Sequence, residues 1–187
     1  MKIFKHITLI ICLISAFSCA VDESCRTNRS VLLQMDMYQI TKNSTLNTIT
    51  ETAFNLDSVT VKGLKLDTIN NKFSTLDSIL YNNSKSISTI NLPLHSFESS
   101  TIFELTFNSK KVRQNPVTNK NDTTRYINTK DTLTIYHKNM NDYLSLECGS
   151  IVIHSIDTAI VTNHFVDSIR ISNHLVNNIN AENIKIF

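Results

Sequence analysis

Three sets of residues in this chain have types and spacings that could do chemistry. The first is a set of four cysteines, Cys12, Cys19, Cys25 and Cys148. A thiol can take a lipid, close a disulfide or bind a soft metal, and its surroundings choose between these. The second is the equally spaced series His154, His164 and His174. Neighbouring strands could bring such imidazoles together as metal ligands or proton carriers, although equal spacing in sequence does not by itself produce convergence in space. The third is an Asp followed by a hydroxyl residue and an apolar one. It places Ser58, Thr68, Ser78, Thr132, Thr158 and Ser168 after Asp57, Asp67, Asp77, Asp131, Asp157 and Asp167.

The cysteines are sorted by the segment before them. Lys2 and Lys5 precede an apolar stretch from Ile7 to Ile14 that is short for a bilayer span, and Ser15-Ala16-Phe17-Ser18 then leads into Cys19. A small residue directly before such a cysteine resembles a bacterial lipobox, in which the thiol receives a diacylglyceryl group and becomes the mature N-terminus. Residues 1–18 are therefore expected to be a lipoprotein signal peptide, residues 19–29 a tether, and Cys19 the lipidated residue; plain secretion is the alternative. Cys12 leaves with the leader and Cys19 is consumed by lipid. Cys25 and Cys148 remain, and an even pair in an oxidising compartment suggests a disulfide, the alternative being two separate thiols. No paired-cysteine spacing points to zinc. No metal and no cofactor is expected.

The elements that must carry these groups read as β almost throughout. Ile, Val, Thr, Tyr and Phe gather in short runs bounded by Asn, Asp, Ser and Lys, which suits a pleated, half-buried surface. Residues 58–61, 132–135 and 168–171 alternate polar with apolar. Further strands are expected over 31–38, 78–81, 87–94, 102–107, 143–147, 151–156 and 183–187, giving nine or ten in all. Residues 108–125 are polar, contain Pro116, and read as an exposed hairpin loop. The expected fold is all-β, a single antiparallel β-sandwich of immunoglobulin-like or related type over residues 30–187. An outer-membrane barrel ending at Phe187 is disfavoured because Asn183 and Lys185 fall where lipid would be, and the chain has no Trp for an interfacial girdle.

Composition removes several functions. With two glycines, Gly63 and Gly149, the chain has no material for a phosphate-cradling loop, a dinucleotide fingerprint or a nucleophile elbow. Both glycines read as turn residues. The formal charge of +2 comes from Lys2 and Lys5 in the expected leader, so the mature chain is near neutral and has no electrostatic case for nucleic acid.

The Asp-Ser/Thr-apolar triplet resembles the acceptor motif for O-glycosylation in exported Bacteroidota proteins. Strand architecture writes the same letters when Asp ends a turn, a hydroxyl residue opens a strand and an apolar one enters the core. The ordered set Cys19 followed by Cys25, then 56–64, 77–81, 92–94, 131–136, Glu147-Cys148-Gly149 and the ending 167–187, is similar to a family of small Bacteroidota lipoproteins catalogued as domain of unknown function 6452. The resemblance implies an all-β lipoprotein with Cys25 and Cys148 as partners, and it implies no activity. The expectation is an envelope lipoprotein, membrane-associated through its N-terminal lipid and most consistent with the outer membrane. Its domain is expected to be a non-catalytic binding or accessory module for an envelope protein or a glycan. A small exported hydrolase or metal-binding module is the runner-up.

Overall fold

Alternation of apolar and polar residues along most of the chain dictates strands, and strands are what form. A computed structural model describes Cys25 and residues 29–43, 48–67, 70, 72–114, 121–146 and 148–187. Within it, Val31–Phe187 makes one compact unit. Its strands are β1 (Leu33–Asn43), β2 (Thr48–Ala53), β3 (Leu56–Asp67), β4 (Lys72–Ile87), β5 (Thr89–Leu92), β6 (Ser100–Gln114), β7 (Asn121–Ser145), β8 (Gly149–Val161), β9 (Ile169–Ile171), β10 (Leu175–Val176) and β11 (Glu182–Ile186). One sheet has the order β2-β1-β11-β9 with β5 also paired to β1, and the other has the order β10-β8-β7-β6-β3-β4.

The two sheets share one apolar core, as a sandwich does. Leu33, Met35 and Met37 of β1, Ile90 and Leu92 of β5 and Ile184 and Ile186 of β11 enter it from one side. Val59 and Val61 of β3, Phe103, Leu105 and Phe107 of β6, Leu133 and Ile135 of β7 and Ile156 of β8 enter from the other. Each such side chain contributes about 1.5–3 kcal/mol when fully buried. The residues between them, such as Gln34, Asp36 and Tyr38 on β1, stay partly exposed, because successive side chains point to opposite faces.

Three sequence expectations change. The sandwich is not wholly antiparallel: β1 runs parallel to β11, with Met35 opposite Ile184 and Met37 opposite Ile186. These strands lie at the two ends of the unit, so no hairpin turn sets their relative direction. Residues 108–125 form a hairpin, as expected, but its described residues are paired strand rather than loop. The β6–β7 ladder continues from Ser109 opposite Tyr126 to Gln114 opposite Asn121, because backbone pairing holds a hairpin together even where its side chains are polar; Pro116 lies outside the described residues. Gly63 is not a turn residue either. It stands inside β3 opposite Phe103, and a Cβ there would meet Leu76 Cδ1 at 3.0 Å. Gly149 does turn the chain between β7 and β8, at a φ of 70°.

Of the expected strand over 143–147, Tyr143 to Ser145 are the end of β7 and Leu146 is in a turn; earlier along β7 its pairing with β8 shifts register between Tyr136 and His137. There β8 holds one extra residue, Asp157, so β7 keeps its phase while β8 changes its own. Asp131, Leu133, Ile135 and His137 are buried in unbroken alternation along β7. That phase carries polar side chains into the interior beyond Ile135.

Candidate functional site: a buried histidine pair

Cys19, Thr68 and the expected signal peptide lie outside the described residues. Cys25 and Cys148 are each disulfide-bonded. The hydroxyls of the Asp-Ser/Thr triplets have no common setting. Ser58 is 7% exposed on β3, with its hydroxyl donating to Asn83 Oδ1, out of reach of a modifying enzyme. Thr132 is half-buried inside β7, whereas Ser78, Thr158 and Ser168 are exposed. The three equally spaced histidines do not share a site. His164 Nδ1 lies 3.1 Å from Asp131 Oδ1, His174 Nδ1 donates to the Ile156 carbonyl at 2.6 Å, and His154 is buried with other partners.

His154 meets His137, which sequence reading did not single out. The rings pack edge to face with centroids 5.0 Å apart, and the two residues are 2% and 1% exposed. Both Nδ1 atoms point at Asn139 Oδ1, at 2.8 Å from His154 and 2.9 Å from His137. Asn139 Nδ2 donates to the Glu98 carbonyl at 2.9 Å, which orients the amide and makes Oδ1 the acceptor. Each imidazole is therefore assigned a proton on Nδ1 and a lone pair on Nε2. His137 Nε2 then accepts the Thr101 hydroxyl at 2.9 Å, and Thr101 Oγ1 in turn accepts the His95 N–H at 2.8 Å. The period-2 signal for His137 was present, since it follows Leu133 and Ile135 on the core face. A histidine in that phase has no letter pattern of its own, and its partner Asn139 becomes visible only once β7 and β8 are paired.

The electrostatics keep this pair neutral. Burial holds the His154 imidazolium down, and the neighbouring His137 adds like-charge repulsion, bringing its pKa to about 4. Burial also lowers His137; the Asn139 bond and Asp157 favour its charged form, and His95 opposes it. A hydroxyl, an imidazole and an amide in series is the order of a nucleophile, its base and an orienting group. Here the base is weakened by burial and the hydroxyl oxygen already accepts an N–H. The arrangement favours two neutral rings, and a proton taken up by either would have to overcome burial.

A second polar centre is built around Asp131 on β7, 1% exposed. Its carboxylate accepts the backbone N–H groups of His164, Phe165 and Val166 at 2.8, 2.8 and 2.9 Å and the Thr162 hydroxyl at 2.9 Å. Burial raises its pKa, but the three amides and the hydroxyl outweigh that and hold it below the usual carboxylate value. The bonds clamp the segment after β8 so that Phe165 stacks on Phe107 with centroids 4.3 Å apart. Among the described residues no group of three or more His, Cys, Asp or Glu side chains is placed to hold a metal ion.

Comparison with known proteins gives one result. No curated protein and no solved structure matches the chain. The pattern described as "Family of unknown function (DUF6452)" matches residues 58–187, from β3 through β11 and well over half of the chain. The chain belongs to that family.

Proposed function

We propose that the protein is an exported cell-envelope lipoprotein, held to the membrane by lipid on Cys19, whose β domain is a non-catalytic binding or accessory module. Its partner on this reading is another envelope protein or a glycan. The observation that carries the reading is the state of the thiols: Cys25 and Cys148 are both disulfide-bonded. Such bonds persist in exported proteins and are rare where glutathione keeps thiols reduced. We assign the bond to Cys25 with Cys148, the pair that a leader ending at Ser18 and a lipidated Cys19 would leave. Closing a loop of that length stabilises a fold by about 4–5 kcal/mol in chain-entropy terms. The fold is assigned to the immunoglobulin-like or a related sandwich type, in keeping with two packed sheets. An outer-membrane location and glycans on the exposed Ser78, Thr158 and Ser168 belong to the same proposal.

The experiment is metabolic labelling with a tagged fatty acid, followed by fractionation of the parent chain and of Cys19→Ala. Label in the parent alone, together with loss of the variant from the membrane fraction, is the expected result. An unlabelled parent, or a variant that stays fully in the membrane, overturns the anchor. Crosslinking in the native envelope then tests the module: a stoichiometric protein or glycan adduct is expected.

A further inference from the structure

We propose that the His137–Asn139–His154 cluster is a proton-sensitive latch for residues 93–99, so that acid frees this loop, with Phe97 on it, while the sandwich stays folded. The inference stands apart from the lipid anchor and the partner.

The loop joins β5 to β6 and has little burial of its own. Leu94 is buried, but residues 95–99 are all exposed, and Phe97 is 93% exposed. Polar bonds hold the rest. Glu98 offers its carbonyl to Asn139 Nδ2, His95 gives its N–H to Thr101 Oγ1, and Ser99 offers its carbonyl to the His137 N–H at 2.9 Å. All three holding groups are members of the cluster or bonded directly to it. Inside the loop, Phe97 N–H donates to His95 Nδ1 at 3.3 Å.

A second proton on either ring is disfavoured while the loop is closed. Both Nδ1–H groups already converge on one amide oxygen. A proton on His137 Nε2 turns that nitrogen into a donor, so the Thr101 hydroxyl must give up the bond it makes there and its oxygen must accept from the ring as well as from the His95 N–H. The two rings are 1% and 2% exposed with centroids 5.0 Å apart, so a charge on one is poorly hydrated and faces the other. Opening the Asn139 and Thr101 bonds, which hold the loop, admits water and relieves that cost.

The surrounding charges do not remove this conflict. His95 and Glu98 face the cluster from the loop, with His95 Nε2 3.8 Å from Glu98 Oε1; protonated His95 strengthens that pair but repels a charged His137. Lys138 on β7 is paired with Asp157 on β8 at 3.4 Å, which leaves Asp157 a weak attractor. From the segment before β10, His174 is committed through Nδ1 to the Ile156 carbonyl. Each proton taken up on opening raises the open fraction about tenfold per pH unit below the ordinary histidine range.

The chain has no Trp, so Phe97→Trp in the full-length protein puts a single indole on the loop. The expected result is a fall in its fluorescence anisotropy between neutral pH and about pH 4, with far-ultraviolet circular dichroism unchanged. Adding His154→Phe moves the fall to lower pH or removes it. An anisotropy that stays flat until the dichroism collapses overturns the latch, and so does an identical fall in the His154→Phe chain. Should that double variant fail to fold, proton NMR of the imidazoles in the Phe97→Trp chain decides: titration of His137 and His154 across the anisotropy change supports the latch, and rings still neutral after the loop is free overturn it.

Discussion

Asp131 and Val166 are joined by a hydrogen bond with both groups buried, the carboxylate Oδ2 of β7 taking the Val166 N–H at 2.9 Å. Asp131 ties the irregular segment after β8 to the six-stranded sheet by offering its amides an acceptor.

Removing that acceptor strands several buried donors. Asp131→Ala is expected to lower unfolding stability by about 3–5 kcal/mol, since each buried amide left unpaired costs about 1–3 kcal/mol. Urea unfolding of the variant beside the parent measures it, and a loss under 1 kcal/mol would show that water replaces the carboxylate freely. The pH dependence has a definite sign. The folded carboxyl sits below its ordinary value of 3.8, so its contribution is complete above that value and is lost only as pH falls through the lower folded value.

His154 acts at higher pH and in the same direction. Its folded pKa is about 4 against an ordinary 6.5, so the unfolded chain takes up a proton first as pH drops. Stability is full above about 6.5 and declines from there to about 4, by on the order of 3 kcal/mol. His154→Phe, which keeps a ring beside His137, should flatten the stability curve across this window relative to the parent. Equal slopes in the two curves would contradict the burial of this ring in its neutral form.

Tyr38 governs the alkaline side. Its hydroxyl donates to Glu182 Oε2 at 2.7 Å on the outer face of the five-stranded sheet. That bond, followed by burial and by the charges of Glu182, Asp36 and Glu51, lifts its pKa to about 12. The neutral phenol is the form the fold prefers, so its contribution is complete below the ordinary value of 10.0 and fades as pH rises toward 12. An ultraviolet phenolate titration should show one late tyrosine that is absent in Tyr38→Phe.

Gly149 gives a small, clean test of backbone strain. Its φ of 70° lies in the left-handed region, and an added Cβ would meet nothing within 4 Å. Gly149→Ala should therefore cost about 1 kcal/mol from the dihedral alone. Gly149→Asn should recover part of that, because Asn tolerates the same conformation. Thermal unfolding of the two variants separates the outcomes.

Much of the fold was legible in the letters. Alternation placed β3, β7 and β9 where they were expected, because a half-buried strand must present every second residue to the core. The 108–125 segment reads as a hairpin, and only the length of its paired strands is hidden, because backbone pairing leaves no mark on side-chain type. The Asp-Ser/Thr triplets looked like one motif and are several things. Asp131 is a buried clamp within β7, Asp157 is the extra residue of a bulge, and Asp77 lies within β4. A three-letter string records local turn and strand chemistry, and it does not record which face of which sheet the residue reaches.

By itself the sequence determined an all-β domain and the residues with a tendency to face its core, since both follow from the two-residue period of a pleated strand. It also carried the family match over residues 58–187. Only the tertiary structure decided that β1 runs parallel to β11, that His137 and not His164 or His174 accompanies His154, and that one asparagine oxygen serves both rings. The first joins strands from the two ends of the unit, and the other two depend on the register between the consecutive strands β7 and β8. A single extra residue at Asp157 resets that register for the inner end of β8.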